Sequence, residues 1–393
     1  MLYNLLQNMS GWLEEIGAHS VLQVLYQLEF RAFSAVLLSF FVVLACGKPV
    51  IRWLIRQKIG DSPEFNQAEI NRLMASKKNT PTMGGVLICG AVLLSILLLA
   101  DLANGYVHIA ALTIVWLAVL GAADDWLKLT AGRRGPGGRD GLYAWEKLLF
   151  QIGIGVVAGI ALYRMTGDSD GARAVVLPFQ RTYDPQAQRL VIESGVYLLG
   201  VGSFLAVTVF LVTFFSNAVN LTDGMDGLAS GVSVITALAI MVLIYIAADP
   251  SRAHFMLYPF VDGAGELMVV AGALAGACLG FLWFNCLPAK VFMGDTGSLP
   301  IGGVLAVMAV AIRQEFLLLL IGGVFVVEAA SVVLQIACFR ATGGGPDGMR
   351  LFRCAPIHHH FHLKGWSEQQ IVTRAWVLTV VLTMIALASL KMR

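Results

Sequence analysis

The sequence predicts an all-α, polytopic membrane protein of about ten transmembrane helices with an active-site cleft at the cytoplasmic face. Two observations predict the helices. Of 393 residues, 58% are hydrophobic and 13% are charged, where a soluble domain carries about 25% charge. The apolar residues also gather into runs of about 20, the length that crosses roughly 30 Å of hydrocarbon. Such runs must be helical, because lipid offers the backbone no hydrogen-bond partners.

The runs lie near 29–51, 83–101, 107–127, 147–165, 195–215, 228–247, 266–285, 298–313, 316–339 and 371–390. Together they predict one integral membrane domain over 1–393, which opens with a periplasmic segment, 1–28. That segment holds Glu14 and Glu15 and lacks the charge pattern of a cleavable signal. The run 298–313 is short and Gly-rich, so neighbouring helices must shield it. Gly272, Gly276 and Gly280 recur at the spacing of close helix packing. The loop 166–194 is long enough for a small hairpin. The six cysteines form neither a metal pattern nor a disulfide framework and read as small buried hydrophobes. A net charge of +2 gives no support to a nucleic-acid partner.

Basic residues set the orientation. Arg52, Arg56, Lys58, Arg72, Lys77 and Lys78 follow the first run. Lys128, Arg133, Arg134, Arg139 and Lys147 follow the third, and Arg340, Arg350, Arg353 and Lys364 the ninth. These loops are expected on the cytoplasmic side, and the N-terminus outside. One consequence is that four motifs distant in sequence fall at one face. They are Asp124-Asp125, Asn217-Ala-Val-Asn220-Leu-Thr-Asp223-Gly-Met-Asp226-Gly, Phe292-Met-Gly294-Asp295-Thr-Gly-Ser298 and His358-His359-His360.

Each motif has a chemical and a bland reading. Adjacent carboxylates repel unless a cation or a proton sits between them, but Asp124-Asp125 also reads as a helix end reaching water beside Lys128. Asp223 and Asp226, each backed by a glycine, suit a hard cation and a close phosphate, or form a plain polar turn. Asp295 lies between two glycines at the start of a helix, a setting that favours phosphate, while Ser298 there reads equally as an N-cap. Protonated imidazoles bind diphosphate, and the histidine run also admits zinc, against which stands the lack of a thiolate pattern. Lys77, Lys78 and Lys147 steer an anionic substrate or simply mark the cytoplasmic side. Carboxylates for a cation, glycines for phosphates and bases for anions are what phosphoryl transfer uses.

The motifs carry a family resemblance. Thr80-Pro-Thr82-Met-Gly-Gly85, Asp124-Asp125, Asn217 to Gly227, Phe284-Asn285-Cys-Leu-Pro-Ala-Lys-Val-Phe292-Met-Gly-Asp-Thr-Gly-Ser298 and Pro356-Ile-His-His-His-Phe-His-Leu-Lys-Gly-Trp366 resemble the phospho-N-acetylmuramoyl-pentapeptide-transferases, from about Arg52 to the last run. The resemblance implies transfer from UDP-N-acetylmuramoyl-pentapeptide to undecaprenyl phosphate, giving lipid I and UMP, with Mg²⁺, in the bacterial inner membrane, by a homodimer. It implies catalytic roles for Asp124 (as base), Asp125 and Asp295, and Asp295 as the Mg²⁺ ligand. It places Asn220, Asp223, Asp226, Asn285 and Phe292 at the nucleotide, and Lys77 and Lys147 near the nucleotide-sugar. The three histidines fall at the diphosphate and sugar-peptide side. Thr82, Asn217 and Gly294 lie in the same motifs and are further substrate-binding candidates. Direct attack by the lipid phosphate and a covalent aspartyl route both remain open.

Two features depart from the family. His362 stands where members usually carry Glu, and Gly132-Arg-Arg-Gly-Pro-Gly-Gly-Arg139 lengthens the third loop, an insertion expected to be flexible. The alternatives are a sister transferase moving an N-acetylhexosamine phosphate and a secondary transporter. The histidine run argues against the first. A transporter would hold its carboxylates near the midplane and show internal repeats, and no repeat is evident.

Overall fold

The computed structural model describes residues 2–15, 22–57, 80–131, 141–167, 169–185, 187, 190–344 and 348–391. Lys77, Lys78 and the 132–139 insertion lie outside the described residues. Among the described residues there is no named strand, and the chain is all-α. Two short helices, α1 (Leu2–Asn8) and α2 (Ser10–Glu15), come first. Then follow α3 (Leu28–Arg56), α4 (Gly85–Leu99), α5 (Gly105–Thr130), α6 (Ala144–Met165), α7 (Val201–Thr222), α8 (Leu228–Ala247) and α9 (Pro250–Met256). The remainder are α10 (Leu267–Asn285), α11 (Asp295–Ala311), α12 (Glu315–Ile321), α13 (Gly323–Ala341), α14 (Ile357–His362) and α15 (Glu368–Lys391).

Among the described residues, eight helices are long and apolar enough to cross a membrane. Two shorter apolar ones, α4 and α11, make up ten. Each expected run is helical, with three corrections. The fifth helix starts at Val201 rather than near 195, because the chain before it is extended. That stretch pairs back through antiparallel bridges at Ala174–Leu198 and Tyr183–Ile192, so the loop makes isolated bridges in place of a regular hairpin. The ninth run is broken at Gly322 into α12 and α13. The helix expected near Ser298 begins at Asp295 with Gly294 as its cap. Ser298 is therefore an interior residue whose hydroxyl bonds back to the Gly294 carbonyl at 3.0 Å, and it does not cap the helix.

The core sits around α10 and α11. Every residue of α11 is buried, which answers the shortness of that helix: protein, not lipid, surrounds it, chiefly α5 and α7. Helix α10 packs against α3. At Gly272, Gly276 and Gly280 a Cβ would strike the carbonyls of Ala32, Val36 and Phe40, so the three glycines let the two backbones touch. At one end of the bundle Arg31 forms a bidentate pair with Glu266 (2.6 and 2.8 Å) and also bonds the Leu99 carbonyl. The opposite end gathers the N-termini of α4, α6, α8 and α11 and the C-termini of α5, α7 and α10. All four motifs from the sequence meet at that end.

Candidate active site

Helix α11 organises the site. Gly294 lies at φ 71°, ψ 176°, a conformation open essentially only to glycine. A Cβ there would also press on Asp125 Oδ2 (2.6 Å) and Thr82 Oγ1 (2.9 Å). The turn aims the first N–H groups of α11 at a neighbouring helix. Asp125 on α5 receives them: Oδ1 accepts from the Asp295 N–H (3.1 Å), and Oδ2 from the Thr296 N–H (2.9 Å) and hydroxyl (2.6 Å). A carboxylate at a helix N-terminus satisfies orphan donors and opposes the positive end of the dipole. The contact is possible because α5 carries Gly121 where a Cβ would overlap the Asp295 carbonyl.

Asp124, one residue away, faces a second set of groups. Its Oδ1 accepts the Leu142 N–H (2.7 Å). Its Oδ2 lies 2.7 Å from both Lys128 Nζ and Lys147 Nζ. Lys147, from the first turn of α6, also reaches Asp295 Oδ2 at 2.7 Å. Asp295 Oδ1 takes the Asn220 amide at 2.7 Å and Lys128 at 3.4 Å. All three carboxylates are buried, whereas the Lys128 side chain is 44% exposed.

One oxygen from each of Asp124, Asp125 and Asp295 lies within 4.8 Å of the others, and the cluster could hold a metal ion. The donor set fits a hard divalent cation. It is all oxygen, and its three negative charges exceed the two ammonium groups by one. Lys128 is exposed enough to withdraw as a cation enters.

The remaining candidates form a frame. Asp223 Oδ2 accepts the Gly294 N–H (3.1 Å). Burial raises the Asp223 carboxyl well above its ordinary value, the Gly294 bond opposes this, and Asp295 and Asp125 add repulsion. Asp226 Oδ2 accepts the Ala289 N–H (2.9 Å), and its own N–H donates to Glu368 (2.7 Å). Asn285 takes the Gly227 N–H and the Ser230 hydroxyl and donates to the Val291 carbonyl, so its amide clamps the two loops together. Asn217 bonds Gln151 at 2.8 Å on α6. Phe292 joins the loop before α11 to the start of α4 through its backbone: its N–H donates to Pro81 (2.7 Å) and its carbonyl accepts from Gly84 (2.8 Å). Buried Thr82 comes with that segment.

The histidines separate. His358 and His359 are buried and their rings stand 4.2 Å apart. His360 is less buried, its Nδ1 accepts the Arg353 N–H (3.1 Å), and burial with Lys364 and Arg353 lowers its pKa. His358 contacts the Asp223–Asp226 turn at Gly224 and pairs with Glu328 at 3.0 Å. The carboxylates sit at helix ends, unlike the midplane arrangement of a transporter.

A family model described as glycosyl transferase family 4 matches residues 107–313, over half of the chain. The chain belongs to glycosyl transferase family 4. The match runs from the start of α5 to just past α11 and so contains all three clustered aspartates, Lys128 and Lys147. Signature 1 of phospho-N-acetylmuramoyl-pentapeptide-transferase matches residues 77–89, of which Pro81, Gly84 and Gly85 make the backbone bonds to the loop before Asp295. This member of family 4 is thus a glycosyl-phosphate transferase of that branch, moving a phospho-sugar to a polyprenyl phosphate in a membrane.

Proposed function

We propose that this enzyme transfers phospho-N-acetylmuramoyl-pentapeptide from the UDP-linked donor to undecaprenyl phosphate, giving lipid I and UMP, with Mg²⁺. The observation that carries the reading is the cluster of Asp124, Asp125 and Asp295 with Lys128, Lys147 and Asn220, all at one end of an apolar bundle. The distribution of basic loops supports an inner-membrane protein with this end towards the cytoplasm.

In this reading the donor diphosphate draws Lys128 and Lys147 away from Asp124. That frees Oδ2 to take the proton of the lipid phosphate. The lipid phosphate oxygen then bonds to the donor phosphorus that bears the sugar. The bond from that phosphorus to the UMP oxygen breaks, and UMP leaves with its electron pair. Asp125, with both oxygens tied to α11, positions Asp295 and is poorly placed as a nucleophile. Asp295, beside Asp124 and Asp125, would hold Mg²⁺, whose positive charge stabilises charge on the phosphate oxygens. The Asp223–Asp226 turn, Asn285 and Phe292 frame the nucleotide side, and His360, the least buried of the triplet, faces the sugar-peptide side.

Donor choice tests the proposal. Purified protein in detergent with undecaprenyl phosphate and Mg²⁺ is expected to turn over the UDP-N-acetylmuramoyl-pentapeptide donor and to leave UDP-N-acetylglucosamine untouched. Turnover of the second donor alone would move the chain to the sister activity.

A further inference from the structure

Glu328 is the sole charged residue in the ninth apolar run, and the side chain is buried on α13. An acidic group in a membrane helix is costly and turns towards a partner. Here the partner is His358. Glu328 Oε2 lies 3.0 Å from His358 Nδ1 and 3.4 Å from the His358 backbone N–H. A carboxylate only accepts, so Nδ1 must carry the proton. This fixes the tautomer and the rotamer together, as a carboxylate does behind a metal-bound histidine.

The opposite edge of the ring meets the donor turn. His358 is 1% exposed, and its Nε2 is buried with no hydrogen-bond partner among the described residues. That nitrogen faces Gly224, where a Cβ would collide with it. Gly224 lies between Asp223, bonded to the Gly294 N–H, and Asp226, bonded to the Ala289 N–H. The ring is thus wedged between a fixed carboxylate and the backbone of the turn. A buried nitrogen left unsatisfied costs free energy, and this one lies directly against the turn.

We propose that Glu328 is a positioning residue: through His358 it sets the Asp223–Asp226 turn for the nucleotide-sugar donor. The inference rests on the donor reading above. Removing Glu328 frees the ring to rotate, the turn loses its support, and donor binding weakens while the acceptor side is spared. Gln at 328 keeps an acceptor oxygen for both bonds and so preserves the arrangement without the charge.

The test is steady-state kinetics on Glu328→Leu, Glu328→Gln, His358→Ala and the Leu/Ala double variant, with donor and lipid varied separately. Glu328→Leu is expected to raise the donor KM roughly 10- to 100-fold with little change in the lipid KM. Glu328→Gln should recover most of that loss. The double variant should be no worse than His358→Ala alone, because the two residues act through one ring. A wild-type donor KM in Glu328→Leu, equal loss in Gln and Leu, or losses that multiply in the double variant would each overturn the inference. If Glu328→Leu aggregates on size exclusion, Glu328→Ala against Glu328→Gln makes the same comparison. A wild type that transfers nothing overturns the donor reading and this inference with it, whereas wild-type turnover with an indifferent Glu328→Leu overturns this inference alone.

Discussion

Asp124 and Asp125 are adjacent in sequence and both buried, yet their surroundings divide their work. Asp125 bonds to backbone and hydroxyl donors of α11, and Asp124 to two ammonium groups. Replacing Asp125 by Asn keeps the shape, but its amide nitrogen cannot accept, so at least one of the three bonds is lost and the rest lose their charge; we expect a fall in stability of about 2 kcal/mol, read as a lower unfolding temperature in detergent, along with lost transfer. Lys128 gives a different signature. Its ammonium compensates the carboxylates where a cation would do so, and Lys128→Met should unfold earlier in EDTA yet gain more from Mg²⁺ than wild type does. An unchanged Mg²⁺ shift would contradict that role. Asp223 adds a pH test. Its folded pKa is raised, so the folded state holds a proton that the unfolded state has released, and stability falls as pH rises from about 3.8 towards the raised value. Asp223→Asn can still accept the Gly294 N–H and escapes the penalty. It should be more stable than wild type at neutral pH, the gain fading in acid, and should bind donor more weakly.

Helices α4, α5 and α11 approach too closely for side chains at Gly85, Gly121 and Gly297. Gly121→Ala is expected to cost about 1–3 kcal/mol and to depress transfer by parting Asp125 from α11, with the loss visible in thermal unfolding without substrate. How much was legible in the sequence differs by element. The ten apolar runs showed through composition alone. The break at Gly322 did not, since Gly322-Gly323 inside an apolar run keeps the hydropathy high while interrupting the backbone. Nor did the start of α11 at Asp295, because Ser298 offers a good cap by residue type and only the left-handed Gly294 moves the boundary. Lys128 was visible merely as the i+4 partner of Asp124, and its reach to Asp295 depends on helix packing. Glu328 carried a signal that sequence reasoning passed over: it is one carboxylate in an otherwise uncharged span.

Across the whole molecule, the site exists because opposed helices bring their ends to one face. Positive-inside counting predicted that gathering, and the packed bundle places Asp124, Asp125, Asn220, Asp223 and Asp295 in direct or bridged contact. Burial then gives the charges their force, since the same groups in water would be screened. We propose that this cluster is the phosphoryl-transfer centre. UMP release from UDP-N-acetylmuramoyl-pentapeptide with undecaprenyl phosphate tests it most directly, measured with Mg²⁺ and with EDTA for wild type, Asp124→Asn and Asp295→Asn. Wild type is expected to release UMP with Mg²⁺ only, and each variant to lose roughly 100-fold or more. Release at wild-type rates from a folded Asp295→Asn, or in EDTA, would contradict it.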